Sequence, residues 1–196
     1  ASDIISGHAN VVIAGGMESM SNSPYFIQNV RKGDDIEFSS LKSIMTHDGL
    51  TDAFDGTTMG MTGEIVSSEF NLSREQSDAY AVRSHALASA AWQNGWLASE
   101  VFEMEELKSD QGIRIGTNMD NLANLRAVFK ENGQITAGNS SQLSDGASAV
   151  LVCSQKTAVE HGWPVLAEIL DYTTTGVEPK RVMIAPVSAC LLYTSD

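Results

Sequence analysis

Two stretches of small and polar residues carry most of the chemical potential of this sequence. Gly15-Gly16-Met17-Glu18-Ser19-Met20-Ser21-Asn22 directly follows an apolar run. Paired glycines there allow the backbone to approach a ligand or another strand, although Gly is also the default residue of a tight turn. Glu18 reads as a paired carboxylate or as the first turn of a helix. Thr136-Ala137-Gly138-Asn139-Ser140-Ser141 offers amides and hydroxyls on which a long amide-containing ligand can lie, or else a polar turn. Asp145-Gly146 beyond it suits a turn into a strand.

The usual catalytic patterns are missing. His8, His47, His85 and His161 lack the nucleophile and carboxylate neighbours of a triad. No G-x-S-x-G elbow, no strand followed by G-x-G-x-x-G and no Walker pattern occurs. Cys153 sits inside an apolar run, where a thiol is packing material. With Cys190 it makes neither a metal spacing nor a disulfide framework, which points to a reducing, cytoplasmic setting without a metal.

The elements that must position these residues alternate. Val11-Val12-Ile13-Ala14 and Ala149-Val150-Leu151-Val152-Cys153 are continuous apolar runs, read as strands buried on both faces in the rhythm of a parallel sheet. A third run, Val165 to Tyr172, closes at Gly176. Thr62 to Phe70 reads as a helix with Ile65, Val66 and Phe70 on one side. Ser73 and Gln76 form a capping box that opens a helix running to Trp92 and stopping at Asn94-Gly95. Its alanines suggest close packing. Ser154 to His161 reads as a helix ended by Gly162. The outcome is an α/β layer interrupted by a long insertion.

Composition narrows the partners. The chain has 196 residues, 42% of them hydrophobic, enough for one or two domains. With 25 acidic and 12 basic side chains the formal charge is −13, which argues against nucleic acid and against an anionic membrane surface. No run reaches the roughly 18 apolar residues of a membrane span. A polyanionic small ligand remains compatible if a few local cations or amides meet it. Ala1-Ser2-Asp3-Ile4-Ile5-Ser6-Gly7 opens without Met and reads as the end of a helix capped at Gly7, so further chain is expected upstream.

Several segments together resemble the thiolase family. Val12 to Asn22 is similar to the family's segment after its nucleophile helix. Asp48-Gly49-Leu50-Thr51-Asp52-Ala53-Phe54 and Met59-Gly60-Met61-Thr62-Gly63-Glu64 resemble its loop domain. Leu72 to Asp78 resembles a helix start of that domain, and Thr136 to Gly146 resembles T-A-G-N-A-S-x-L-N-D-G. Val177 to Lys180 and Ile184 to Val187 resemble the opening of the family's second half. The resemblance runs in order from residue 1 to about residue 189.

It implies a layered α/β/α/β/α thiolase fold, present in part. Residues 1–20 and 144–165 would belong to the N-terminal thiolase domain, 21–143 to an inserted loop domain, and 166–189 to the start of the C-terminal domain. Residues 190–196 (Cys-Leu-Leu-Tyr-Thr-Ser-Asp) depart from the pattern and read as a non-native tail without fixed structure. The implied activity is acyl transfer between coenzyme A thioesters: two acetyl-CoA to acetoacetyl-CoA and CoA, or the reverse thiolysis. A longer-chain 3-ketoacyl-CoA thiolase and a non-catalytic acyl-CoA or lipid binder are the alternatives. The family's nucleophilic cysteine, activating histidine and acid/base cysteine would fall outside these residues, so no catalytic residue is expected here and the chain alone is expected to be inactive. No cofactor is implied beyond the coenzyme A thioester substrate, and the full protein is expected to be a homotetramer.

The substrate contacts carried over are specific. Ser141 and Ala137, with Gly138 beside them, would touch the pantetheine arm. Arg114 would approach the nucleotide end, Leu50 and Asn121 would flank the adenine, and Met59 and Phe129 the acyl and pantetheine pocket. Thr58 stands where many relatives carry His, Ser140 replaces Ala and Ser144 replaces Asn.

Overall fold

A computed structural model describes residues 1–28, 30–31, 37–104 and 107–194. They form a mixed α/β structure that divides into two compact units. The first comprises Ala1–Pro24, Leu143–Gly176 and Ala185–Asp196; the second comprises Tyr25–Gln142 and Val177–Ile184.

The first unit is built on one pair of strands. β1 (Val11–Ser19) pairs with β4 (Asp145–Cys153) along its whole length, from Val11 opposite Cys153 to Ser19 opposite Asp145. The two runs therefore share a sheet, but the pairing is antiparallel, which corrects the parallel reading. A continuous apolar run does not specify strand direction. Burial on both faces is corrected as well: Ile13 is 76% and Val150 60% exposed in this two-stranded ribbon.

Gly15 and Gly16 do not turn. They lie mid-strand, and a Cβ on Gly15 would come within 2.5 Å of the Ser148 carbonyl oxygen. Close strand approach, not a turn, is the reason for glycine at position 15, whereas a Cβ on Gly16 would meet nothing within 4 Å. Asp145 and Gly146 are likewise the first residues of β4, not a turn before it. Asp145 accepts from the Ser21 backbone N–H (3.0 Å) and from the Ser21 hydroxyl, and these bonds hold its carboxyl below the usual range.

Three helices flank the ribbon in sequence. α1 (Ser2–Ile5) ends just before Gly7, whose φ of +76° is the left-handed conformation expected of a helix stop. α5 (Gln155–His161) is capped by Ser154 and ends at left-handed Gly162. Val165 to Tyr172 forms no strand, because no described segment supplies the ladder of hydrogen bonds a strand needs. α6 (Ala185–Thr194) includes residues 190–194, which were expected to lack fixed structure. Ala-Cys-Leu-Leu-Tyr contains no Gly or Pro to stop a helix that has begun. Ser195 and Asp196 lie outside the described residues.

The second unit takes its regular structure mainly from helices. A short β2 (Tyr25–Phe26) and β3 (Lys42–Ser43) pair antiparallel, followed by a π-helical turn, Met45–Gly49. α2 (Met59–Glu69) buries Thr62, Glu64, Val66 and Ser67, whereas Phe70 is exposed, so its inward side is more polar than the apolar pattern suggested. α3 (Arg74–Gln93) has the expected capping box, with Ser73 accepting from the Gln76 N–H and Gln76 accepting from the Ser73 N–H. Its only fully buried residue is Asp78, a charge and not one of the alanines. α4 (Met119–Ala123) buries Leu122. The 3₁₀ segment Pro179–Ile184 packs along α2, where Arg181 makes a forked pair with Glu69 and Lys180 meets Asp55 at 3.1 Å. Among the described residues no helix is long and apolar enough to cross a membrane.

Candidate functional site

All eight expected ligand contacts fall in the second unit, in three groups. The first gathers at the start of α2. The Met59 N–H donates to the Leu50 carbonyl at 2.9 Å, fixing these two residues side by side. The Phe129 ring lies on Gly60 so closely that a Cβ there would stand 2.2 Å from ring carbon Cε2. Leu50, Met59 and Phe129 are thereby all tied to the first turn of α2. Thr58, the departure from the family pattern, is the N-cap of α2 and accepts from the Met61 N–H at 3.4 Å.

The second group surrounds the turn at 136–139. Asn121 belongs to α4, where its backbone N–H donates 2.9 Å to the Asn118 side chain. Gly138 meets the next residues of that helix end: a Cβ would lie 2.5 Å from Leu122 Cδ2 and 2.6 Å from Leu125 Cδ1. Glycine is thus required by close packing, which brings Asn121 and the turn together. Ala137 and Ser141 are exposed at the surface. The Ser141 hydroxyl donates only a long bond of 3.4 Å to the Gln142 carbonyl, leaving it able to bond a ligand amide.

Arg114 forms the third group. Its backbone N–H donates to Nδ1 of His85 on α3 at 3.2 Å, and among the described residues its guanidinium has no partner. A shallow depression of about 160 Å³ lies there, lined by His85, Ser89, Gln93, Arg114 and Thr117 among others. The Gln142 side chain covers Gly112, where a Cβ would be 2.0 Å from Gln142 Nε2. The neighbour of Ser141 therefore touches the segment that carries Arg114.

What holds these groups was not singled out from sequence. Glu64, buried on α2, accepts from the backbone N–H groups of Gln134 and Ile135, each at 2.8 Å. Asn139 accepts from the Thr136 N–H at 2.8 Å and donates to the Gln134 carbonyl at 3.0 Å and to Asp78 at 2.9 Å. Thr136, fully buried, accepts from the Gly138 N–H at 3.1 Å. Arg74 bonds Asp78 at 2.7 Å and also donates to the carbonyls of Leu122 and Leu125. A signal existed in the i, i+4 spacing of Arg74 and Asp78, but that spacing reads equally well as a surface helix pair.

The three groups make a surface that, among the described residues, holds no nucleophile–base pair. Its exposed hydroxyl, small residues and lone guanidinium suit an elongated ligand with amides at one end and negative charge at the other.

Comparison with known proteins shows the family. A profile of the thiolase N-terminal domain matches residues 1–156. Acetyl-CoA acetyltransferase of Pseudomonas aeruginosa is 39% identical over 192 residues, covering 93% of this chain and 49% of that protein. Among solved structures, the Bacillus anthracis acetyl-CoA acetyltransferase superposes with a TM-score of 0.87 at 34% identity, covering 96% of this chain and 50% of the other. Human mitochondrial 3-ketoacyl-CoA thiolase in complex with CoA gives 0.89 at 35% identity, covering 96% and 49%. The chain spans about half the length of the relatives it matches.

Proposed function

We propose a function for this chain from one premise: it belongs to the thiolase family. In the complete protein it supplies the coenzyme A surface of an acetyl-CoA C-acetyltransferase. That enzyme joins two acetyl-CoA into acetoacetyl-CoA and CoA, or runs the thiolysis in reverse. The observation carrying this reading is the locked turn at 136–139, packed on α4 with the Ser141 hydroxyl exposed beside it. Ser141, Ala137 and Gly138 meet the pantetheine arm, Leu50 and Asn121 flank the adenine, Met59 and Phe129 line the acyl and pantetheine pocket, and Arg114 approaches the nucleotide end.

The chemical groups are contributed from outside residues 1–196. A cysteine thiolate takes the acyl group, a histidine activates it, and a second cysteine moves the proton, with donors stabilising the thioester oxyanion. The surface described here contributes binding and orientation, which fix the thioester carbon relative to those groups. The complete protein acts as a homotetramer.

A longer-chain 3-ketoacyl-CoA thiolase is the second reading, supported by the equally good superposition of the human mitochondrial enzyme. Thiolysis assays of the complete protein on acetoacetyl-CoA and on a long 3-ketoacyl-CoA decide between them. A higher kcat/KM on acetoacetyl-CoA is expected. Preference for the long substrate would establish the second reading, and CoA binding without any turnover would establish a non-catalytic binder. Residues 1–196 alone are expected to give the uncatalysed background, and turnover abolished by changing Cys153 would overturn the account.

A further inference from the structure

We propose that Asp78 is a positioning residue that holds the 136–139 turn and the end of α4 at one fixed spacing. The proposal rests on the reading that those two segments bind coenzyme A, and it adds the device that keeps them in register.

Asp78 is 1% exposed and divides its two oxygens between two branches. Oδ1 accepts from the Asn139 amide at 2.9 Å. Asn139 in turn fixes the Thr136 N–H and the Gln134 carbonyl, and Thr136 fixes the Gly138 N–H. Oδ2 accepts from Arg74 Nε at 2.7 Å, and Arg74 reaches the carbonyls of Leu122 and Leu125. The ends of the two branches meet again where Gly138 packs on the Leu122 and Leu125 side chains. One carboxylate thus closes a ring through both segments.

The local i, i+4 pair with Arg74 does not by itself call for burial of the carboxylate. Asp is a poor helix former, and this one faces inward near the start of a helix already capped by Ser73. Burying it costs solvation that only these bonds return. It stands on a helix of 20 residues, a firmer base than either segment provides for itself. A spacing fixed in advance spares the ligand the ordering of two loops, so its loss weakens binding without touching the reacting atoms.

Two substitutions in the complete enzyme separate the branches. In Asp78→Asn the new amide oxygen can still accept from Asn139, while its NH₂ group opposes Arg74 and breaks the branch to α4. Asn139→Ala breaks the other branch at a half-buried site, and it serves alone should Asp78→Asn fail to fold. Hydrogen exchange should quicken about tenfold at Leu122 and Leu125 in the first variant and at Thr136 and Gly138 in the second. Each should raise KM for CoA about tenfold while kcat stays within about twofold. Lower melting temperatures with unchanged KM, or exchange that rises evenly along the chain, would overturn the proposal. Titration of CoA into the wild-type enzyme decides the underlying reading separately, before any variant is made.

Discussion

Glu64 and Gln134 lie 70 positions apart in sequence, and the backbone N–H of Gln134 bonds both oxygens of the Glu64 carboxylate, at 2.8 and 3.0 Å. The Ile135 N–H adds a third bond at 2.8 Å. Helix α2, which carries Met59 at its start, is therefore fastened to the strand of chain that leads into the 136–139 turn. Glu64→Ala would leave two N–H groups without their acceptor. The expected loss is about 1.5–3 kcal/mol of stability in chemical denaturation, the range for bonds to a charged group. A loss within about 0.5 kcal/mol would mean that water replaces the carboxylate at no cost.

Gly60 and Phe129 give a second test at the same helix. A methyl group on Gly60 would overlap the Phe129 ring at 2.2 Å. Gly60→Ala should cost about 1–3 kcal/mol, since the ring must leave its position. The double variant Gly60→Ala, Phe129→Leu should recover part of that loss. A neutral single variant in a thermal melt would contradict the packing described.

Asp55 offers a test by pH. Its carboxyl is lowered from the ordinary 3.8 to about 2, first by the Thr57 hydroxyl, then by the Thr57 N–H, with Lys180 contributing less. A folded value below the unfolded one means a contribution in place above pH 3.8 and lost as pH falls through about 2. Carboxylate NMR titration should show the Asp55 midpoint rising more in Thr57→Val than in Lys180→Met. The reverse order would make the ion pair with Lys180 the main cause.

The legible parts of this molecule were those decided within a few residues. Ser73 and Gln76 announce their capping box because both partners lie in one turn, and Gly162 announces its helix stop for the same reason. Strand direction at Val11 to Ala14 was not legible, because a continuous apolar run is compatible with either pairing. Gly15 reads from sequence as either a turn or a close strand approach, since only the partner strand reveals that Ser148 leaves no room for a side chain. Val165 to Tyr172 has strand composition, yet a strand exists only beside a second one. At the site, the exposed residues came from family resemblance, while Glu64, Arg74 and Asp78 stayed hidden. Their long-range partners sit some 50 to 70 positions away, and the one local bond, Arg74 to Asp78, reads equally well as a surface helix pair.

The most direct measurement is calorimetric titration of CoA into the complete protein and its Ser141→Ala and Arg114→Ala variants, with melting curves for all three. A hydrogen bond to a pantetheine amide contributes about 1 kcal/mol, so Ser141→Ala should weaken binding several-fold to about tenfold with little change in melting temperature. Arg114→Ala should cost more at low salt, and the difference should shrink as salt screens the phosphates. Affinity unchanged in both variants, with melting temperatures lowered instead, would contradict the account and make both residues part of the scaffold alone.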